Sequence, residues 1–137
     1  MGTVGRLAVM GDREFSCEET VGSILARVVL AETNPAYEAH YSDILLVLGG
    51  AHGVDQTARE WAHKVDNSYV LFKPPFMVDS SREHSPGDFR VRRKQMVDNC
   101  DVLVVIKKPG DLTFDGYIRR AMKLGKTVII EEIQDAT

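Results

Sequence analysis

Apolar positions along this chain come in short runs, and the stretches between them follow a helical period. Five runs stand out: 6–10, 44–48, 69–72, 102–106 and 127–130. Ile44–Leu48 and Val102–Ile106 are continuously apolar, as a strand covered on both faces requires. Between the first two runs, Val21, Ile24, Leu25, Val28 and Val29 fall at i, i+3, i+4, i+7 and i+8, one face of a helix. Ser16 and Glu19 have capping-box spacing, which places the N-cap of that helix at Ser16. Val54, Ala58, Trp61, Ala62 and Val65 mark the inner face of a second helix. A third, basic helix is expected from a cap at Asp88 to about Asp98. A fourth is expected from a cap at Thr113 through Leu124, with Gly125 as its C′ residue.

Strands alternating with helices read as βαβ units. With right-handed crossovers they predict a three-layer, Rossmann-like α/β domain around a mainly parallel five-stranded sheet in the order 3-2-1-4-5. Residues 32–43 and 73–87 read as long loops, and the second, with three prolines, exceeds what a connector needs. At 137 residues, one domain over 1–137 is expected, with a core sufficient without metals or disulfides.

In open parallel sheets ligands lie beyond the carboxyl ends of the strands, where the strand order reverses. The predicted order makes the first and fourth strands neighbours, so the turns after strands one, two and four should build the site. Those turns are Gly11-Asp12-Arg13, the 49–55 turn and residues 107–113, and each contains glycine. In the second, Gly49, Gly50, Ala51, His52 and Gly53 lead into a helix. Its amides and the helix's positive end can cradle a phosphate, although a tight turn that binds nothing has the same sequence. Asp55 at the helix start reads either as a cap or as an acceptor for a ribose hydroxyl. His52 reads as a loop residue or a ligand donor. Arg13 can clamp phosphate, while Asp12 reads as a surface partner for a nearby cation. Arg90, Arg92, Arg93 and Lys94 form the densest basic cluster, mostly a solvated face, from which one arginine is expected to reach the pocket.

Composition narrows the classes. A hydrophobic fraction of 44% and a charged fraction of 27% are those of an ordinary globular chain. The formal charge of -3 argues against a nucleic-acid partner. Cys17 and Cys100 have no metal-ligand spacing and read as reduced packing thiols; no metal or resident cofactor is expected. No apolar run approaches a membrane span and the first residues lack a signal peptide's apolar segment, so no membrane role and a cytoplasmic location are expected.

Several of these stretches together resemble the SLOG superfamily, in particular its small stand-alone members. That family shows Gly-Ser-Arg after the first strand and Gly-Gly-Ala-Arg-Gly-Ala-Asp after the second. A helix with Ala…Trp-Ala, then Phe-Pro-Ala-Asp-Trp, Arg-Asn-x-x-Met and a Ser-x-Gly-Thr turn follow. Matching stretches here are Gly11–Arg13, Gly49–Asp55, Ala58 with Trp61-Ala62, Phe72–Phe76, Arg93-Lys94-Gln95-Met96, and Gly110–Thr113. The resemblance implies a Rossmann-like fold and a pocket for a nucleotide or nucleotide-derived phosphate ligand. It implies Gly11, Asp12, Arg13, Gly49, Gly50, Ala51, His52, Gly53, Asp55, Arg93, Met96, Gly110 and Thr113 as binding residues. Self-association is expected by analogy.

Catalytic members similar to the cytokinin-activating phosphoribohydrolases carry Pro-Gly-Gly-x-Gly-Thr-x-x-Glu after the fourth strand. Here Pro109-Gly110-Asp111-Leu112-Thr113 lacks the central glycines, and Gly116 stands where the glutamate would be. Asp115, one residue early and turned by about 100° on a helix, is the weak catalytic candidate. Three readings follow. The first is a ligand-binding sensor, carrier or sequestering module for a nucleotide. The second is an N-glycosidase acting on nucleoside 5′-monophosphates, and the third is single-stranded nucleic-acid binding.

Overall fold

A computed structural model describes residues 5–32, 44–49, 53–71 and 86–133. Most of the expected loops at 32–43 and 73–87, together with Gly50, Ala51 and His52, lie outside the described residues; Glu32 belongs to the first helix, and the third helix begins at Pro86. In chain order the elements are β1 (Gly5–Gly11), α1 (Glu18–Glu32), β2 (Ile44–Leu48), α2 (Val54–Lys64) and β3 (Tyr69–Leu71). They continue as α3 (Pro86–Asp98), β4 (Val102–Lys107), α4 (Asp115–Lys123) and β5 (Thr127–Glu132).

The strands form one parallel sheet in the order β3-β2-β1-β4-β5, as the apolar pattern predicts. Leu7 pairs with both Leu46 and Val102, so β1 runs down the middle. Alternate strand residues point to opposite faces. Leu7, Val9, Leu46, Val104 and Ile106 pack on α1 and α2, while Ala8, Met10, Val47, Leu103 and Val105 pack on α3 and α4. The result is helix, sheet, helix in three layers. All five apolar positions assigned to the first helix are buried, as are Val54, Ala58, Trp61 and Ala62 of the second. Gly22 allows the two helices to approach closely, since a Cβ there would lie 2.7 Å from Cδ1 of Trp61.

Helix ends depart from the sequence expectations. The first i−4 bond of α1 runs from Val21 N–H to the Cys17 carbonyl at 3.0 Å, which makes Cys17 its N-cap and leaves Ser16 outside. Thr20 Oγ1 donates to Cys17 Sγ at 3.3 Å. Cys17 is exposed, so only Cys100 is a buried packing thiol. Helix α3 starts at Pro86, before the expected cap at Asp88, because proline lacks only an N–H that the first turn leaves unused. Phe114, not Thr113, precedes α4, and no side chain caps it. Asp111 takes Thr113 instead: its Oδ1 accepts from Thr113 N–H at 2.9 Å and from Oγ1 at 2.6 Å.

The C-terminal ends are closed by paired backbone bonds. After α4, Gly125 at φ 76° lets its N–H reach Met122 O at 3.1 Å and Lys126 N–H reach Ala121 O at 2.9 Å. After α2 the same pair of bonds forms, from Asp66 to His63 and from Asn67 to Ala62, with Asp66 held at φ 57°.

Candidate functional site

Asp12 ties the ends of three elements together. Its N–H donates to Ile106 O at the end of β4, and its carbonyl accepts Val54 N–H at the start of α2, both at 3.0 Å. Its Oδ1 accepts Glu14 N–H at 2.8 Å, and its Oδ2 lies 3.6 Å from Lys108 Nζ. The surface pairing foreseen for Asp12 is therefore present. Gly53 lies against the same turn at φ 76°, so close that a Cβ would overlap Asp12 O and the Arg13 carbonyl. Gly11 is equally confined, between Ile106 O and Val54. The turns after β1, β2 and β4 thus meet at the carboxyl edge where the strand order reverses.

Their convergence uses up several of the amides that a phosphate cradle would draw on. The N–H groups of Asp12, Glu14, Val54, Asp111 and Thr113 all donate within the protein.

The principal cation is Arg92, a member of the basic cluster from which one arginine was expected, although Arg93 was the one assigned to the site. Arg92 is only 3% exposed, and it lies beneath Gly49 together with Asp55 and Met96. A Cβ on Gly49 would stand 3.0 Å from Asp55 Oδ2, 3.0 Å from Met96 Sδ and 3.1 Å from Arg92 Nε. Burial pushes the Arg92 guanidinium below its ordinary pKa, Asp55 opposes that shift, and the charges of Arg93 and Arg13 add to it. These couplings bring three arginines and one buried carboxylate within electrostatic range of each other. Asp55, 5% exposed, faces inward; Gly53 is the N-cap of α2, and no side chain caps that helix. The N-cap position itself is thus held by glycine, and the Asp55 carboxylate lies close to Arg92.

Spacing explains the assignment to Arg93. The arginine and methionine of the motif stand four apart, whereas the match to Arg93 and Met96 leaves them three apart. Arg92 and Met96 have the correct separation, which puts both on one face of α3. Arg93 turns toward the other side, its guanidinium carbon 5.1 Å from the ring centre of Phe114 and 5.9 Å from that of Tyr117. Arg13 is exposed on the first turn.

The turn after β4 is held internally. Lys107, buried at the strand's end, donates from Nζ to the Asp111 carbonyl at 2.9 Å. Its bonds to Thr113 keep the Asp111 carboxyl below the usual carboxylate range, so it stays negative at the rim. Gly110 has φ 81° and open space around it. Asp115 sits half-buried in the first turn of α4, its N–H bonded to Leu112 O at 3.2 Å. Among the described residues no three His, Cys, Asp or Glu side chains cluster as metal ligands. No described helix is long and apolar enough to cross a membrane.

These elements define a Rossmann-like α/β domain with a group of arginines at the carboxyl edge of its sheet. No protein-family model and no curated protein sequence matches the chain. Solved structures do. DNA processing protein A (DprA) from Streptococcus pneumoniae aligns over 96% of this chain with a TM-score of 0.68 and 15% identity. The chain spans 52% of that protein, about half its length. DprA from Helicobacter pylori, solved for its single-stranded DNA binding mode, aligns over 98% of this chain and 68% of its own, with a TM-score of 0.66 and 16% identity. The Moco carrier protein from Chlamydomonas reinhardtii aligns over 96% and 78%, with a TM-score of 0.58 and 16% identity. At such identities the likeness carries the Rossmann-like fold alone.

Proposed function

We propose that this chain is a SLOG-type binding module that holds a nucleotide or nucleotide-derived phosphate ligand at the carboxyl edge of its sheet. One observation carries the reading: Arg92 and Asp55 are buried together directly under Gly49, at the point where the turn after β2 leaves the strand. Burying an arginine costs several kcal/mol unless charges and hydrogen bonds compensate, and neighbouring Arg93 and Arg13 add repulsion. An anion placed beside Arg92 and Arg13 relieves that repulsion. The first turn of α2 adds its positive end on the same side. The neighbours' names support a binding role, since one is described by how it binds single-stranded DNA and another as a cofactor carrier.

A panel of nucleoside mono- and diphosphates in a thermal-shift assay tests this. A true ligand at a hundred times its Kd stabilises the fold by about 2.7 kcal/mol. Arg13→Ala, at an exposed position, should keep the unliganded melting temperature and lose most of that shift. Arg92→Lys, which keeps charge without the planar fork, should weaken it at least tenfold in Kd. If both variants retain the full shift, the site is misassigned. Release of free base during the same incubation, abolished by Asp115→Asn, would instead support the N-glycosidase reading.

Nucleic acid is the second reading, despite the net charge of -3. The DprA likeness and the arginines on α3 favour it, because local rather than net charge meets a phosphate backbone. Oligonucleotide binding that falls steeply with salt, without a matching response to mononucleotides, would select it.

A further inference from the structure

Consecutive residues on a helix point about 100° apart, and Arg92 and Arg93 use that angle to meet different neighbours. Arg92 lies on the side of Gly49 and the start of α2. Arg93 lies on the side of the β4–α4 turn, half-buried over Phe114 and Tyr117. Phe114 is 2% exposed and anchored in the core between α3 and α4, with Tyr117 packed against the same cluster. The ring pair holds the guanidinium in place and its quadrupole offsets part of the charge.

Two further features distinguish this side. Leu112, two residues before Phe114, is 72% exposed, so the turn leading into Phe114 carries apolar surface. Asp111, kept negative by its bonds to Thr113, sits in the same turn and disfavours a phosphate directly over it, while Lys107 and Lys108 are engaged by the Asp111 carbonyl and by Asp12. A flat, uncharged aromatic group meets no such penalty, and a guanidinium plane is a good surface for stacking one.

Building on the phosphate-binding function proposed above, we infer that Arg93, set over Phe114 and Tyr117, is the stacking wall for the ligand's nucleobase. The phosphate then lies on the Arg92 and Arg13 side, and the two arginines divide the ligand between them. Arg93 is a specificity residue: it distinguishes a nucleotide from a sugar phosphate of the same charge.

Titration of the full chain with AMP, ribose 5-phosphate and inorganic phosphate tests the division of labour. Wild type should bind AMP at least tenfold tighter than ribose 5-phosphate. Arg93→Ala should bring AMP down to the ribose 5-phosphate level while leaving ribose 5-phosphate within twofold of wild type. Arg93→Lys, which keeps the charge and tests the same point should the alanine variant misfold, should lose the preference equally. Arg92→Lys should weaken both ligands together. Equal loss of AMP and ribose 5-phosphate in Arg93→Ala would make Arg93 a phosphate ligand and overturn the inference. Retention of the preference in Arg93→Lys, or its absence in wild type, would overturn it too. Those outcomes leave the phosphate site standing, whereas failure of wild type to bind any of the three removes the site and the inference together.

Discussion

Gly53 illustrates how much of this site depends on single backbone positions. Its φ of 76° with ψ of -126° is a conformation that side chains rarely adopt, and a Cβ would overlap the Asp12 and Arg13 carbonyls. Gly53→Ala should therefore cost about 3 kcal/mol or more in urea denaturation, strain and overlap acting together. Gly49 differs, because a Cβ there would meet side-chain atoms, of Asp55, Met96 and Arg92, instead of backbone. Both glycines were recognisable in the sequence as turn residues after a buried strand. What each one faces was not, since that depends on distant residues such as Asp12, 41 positions from Gly53, and Arg92, 43 positions from Gly49. Asp55 shows the same limit: its place at the start of a helix suggested a cap, and only the fold turned it inward to Arg92.

At the scale of elements, strand positions were well determined by apolar runs, and helix faces by their period. Helix ends were less legible. Asp111 competed for Thr113, Cys17 took the place given to Ser16, and a proline opened α3 two residues early. Local hydrogen bonding by short polar side chains settles such contests, and several partners satisfy the same spacing. The end of α2 gives a quantitative check. Asp66, exposed and at φ 57°, occupies a C′ position where glycine carries no steric cost. Asp66→Gly should raise stability by about 0.5–1 kcal/mol, less whatever freedom the glycine adds to the unfolded chain. Thermal denaturation would read this as a rise in Tm, and a fall would show that the Asp66 side chain has a role of its own.

Across the whole molecule, the layer of α3 and α4 is joined by an ion pair. Arg120 meets Asp98 with Nε at 2.7 Å and Nη2 at 3.0 Å, and holds its carboxyl below the usual carboxylate range. A carboxylate whose pKa is lower folded than unfolded adds stability above its unfolded pKa. That contribution is lost as pH falls through the folded value. Because both side chains are partly exposed, the effect is small. Arg120→Ala should lower Tm near pH 7, and the difference from wild type should shrink toward pH 3. A difference independent of pH would assign the loss to packing instead.

The order of apolar runs and helical stripes determined the sheet, its parallel sense and its 3-2-1-4-5 arrangement. Burial of continuous strands between helices leaves one economical solution once crossovers are right-handed. The same order indicated where a ligand site is expected, because the strand order reverses around β1 and opens the carboxyl edge there. The choice of Arg92 over Arg93 for the buried position, the inward turn of Asp55 and the use of cradle amides by Asp12 and its neighbours were decided by tertiary structure. Each depends on the angle at which a side chain leaves α3 or α2 relative to a turn from another part of the chain. A period in sequence records which face is buried, but not which residue of that face meets the loop above it.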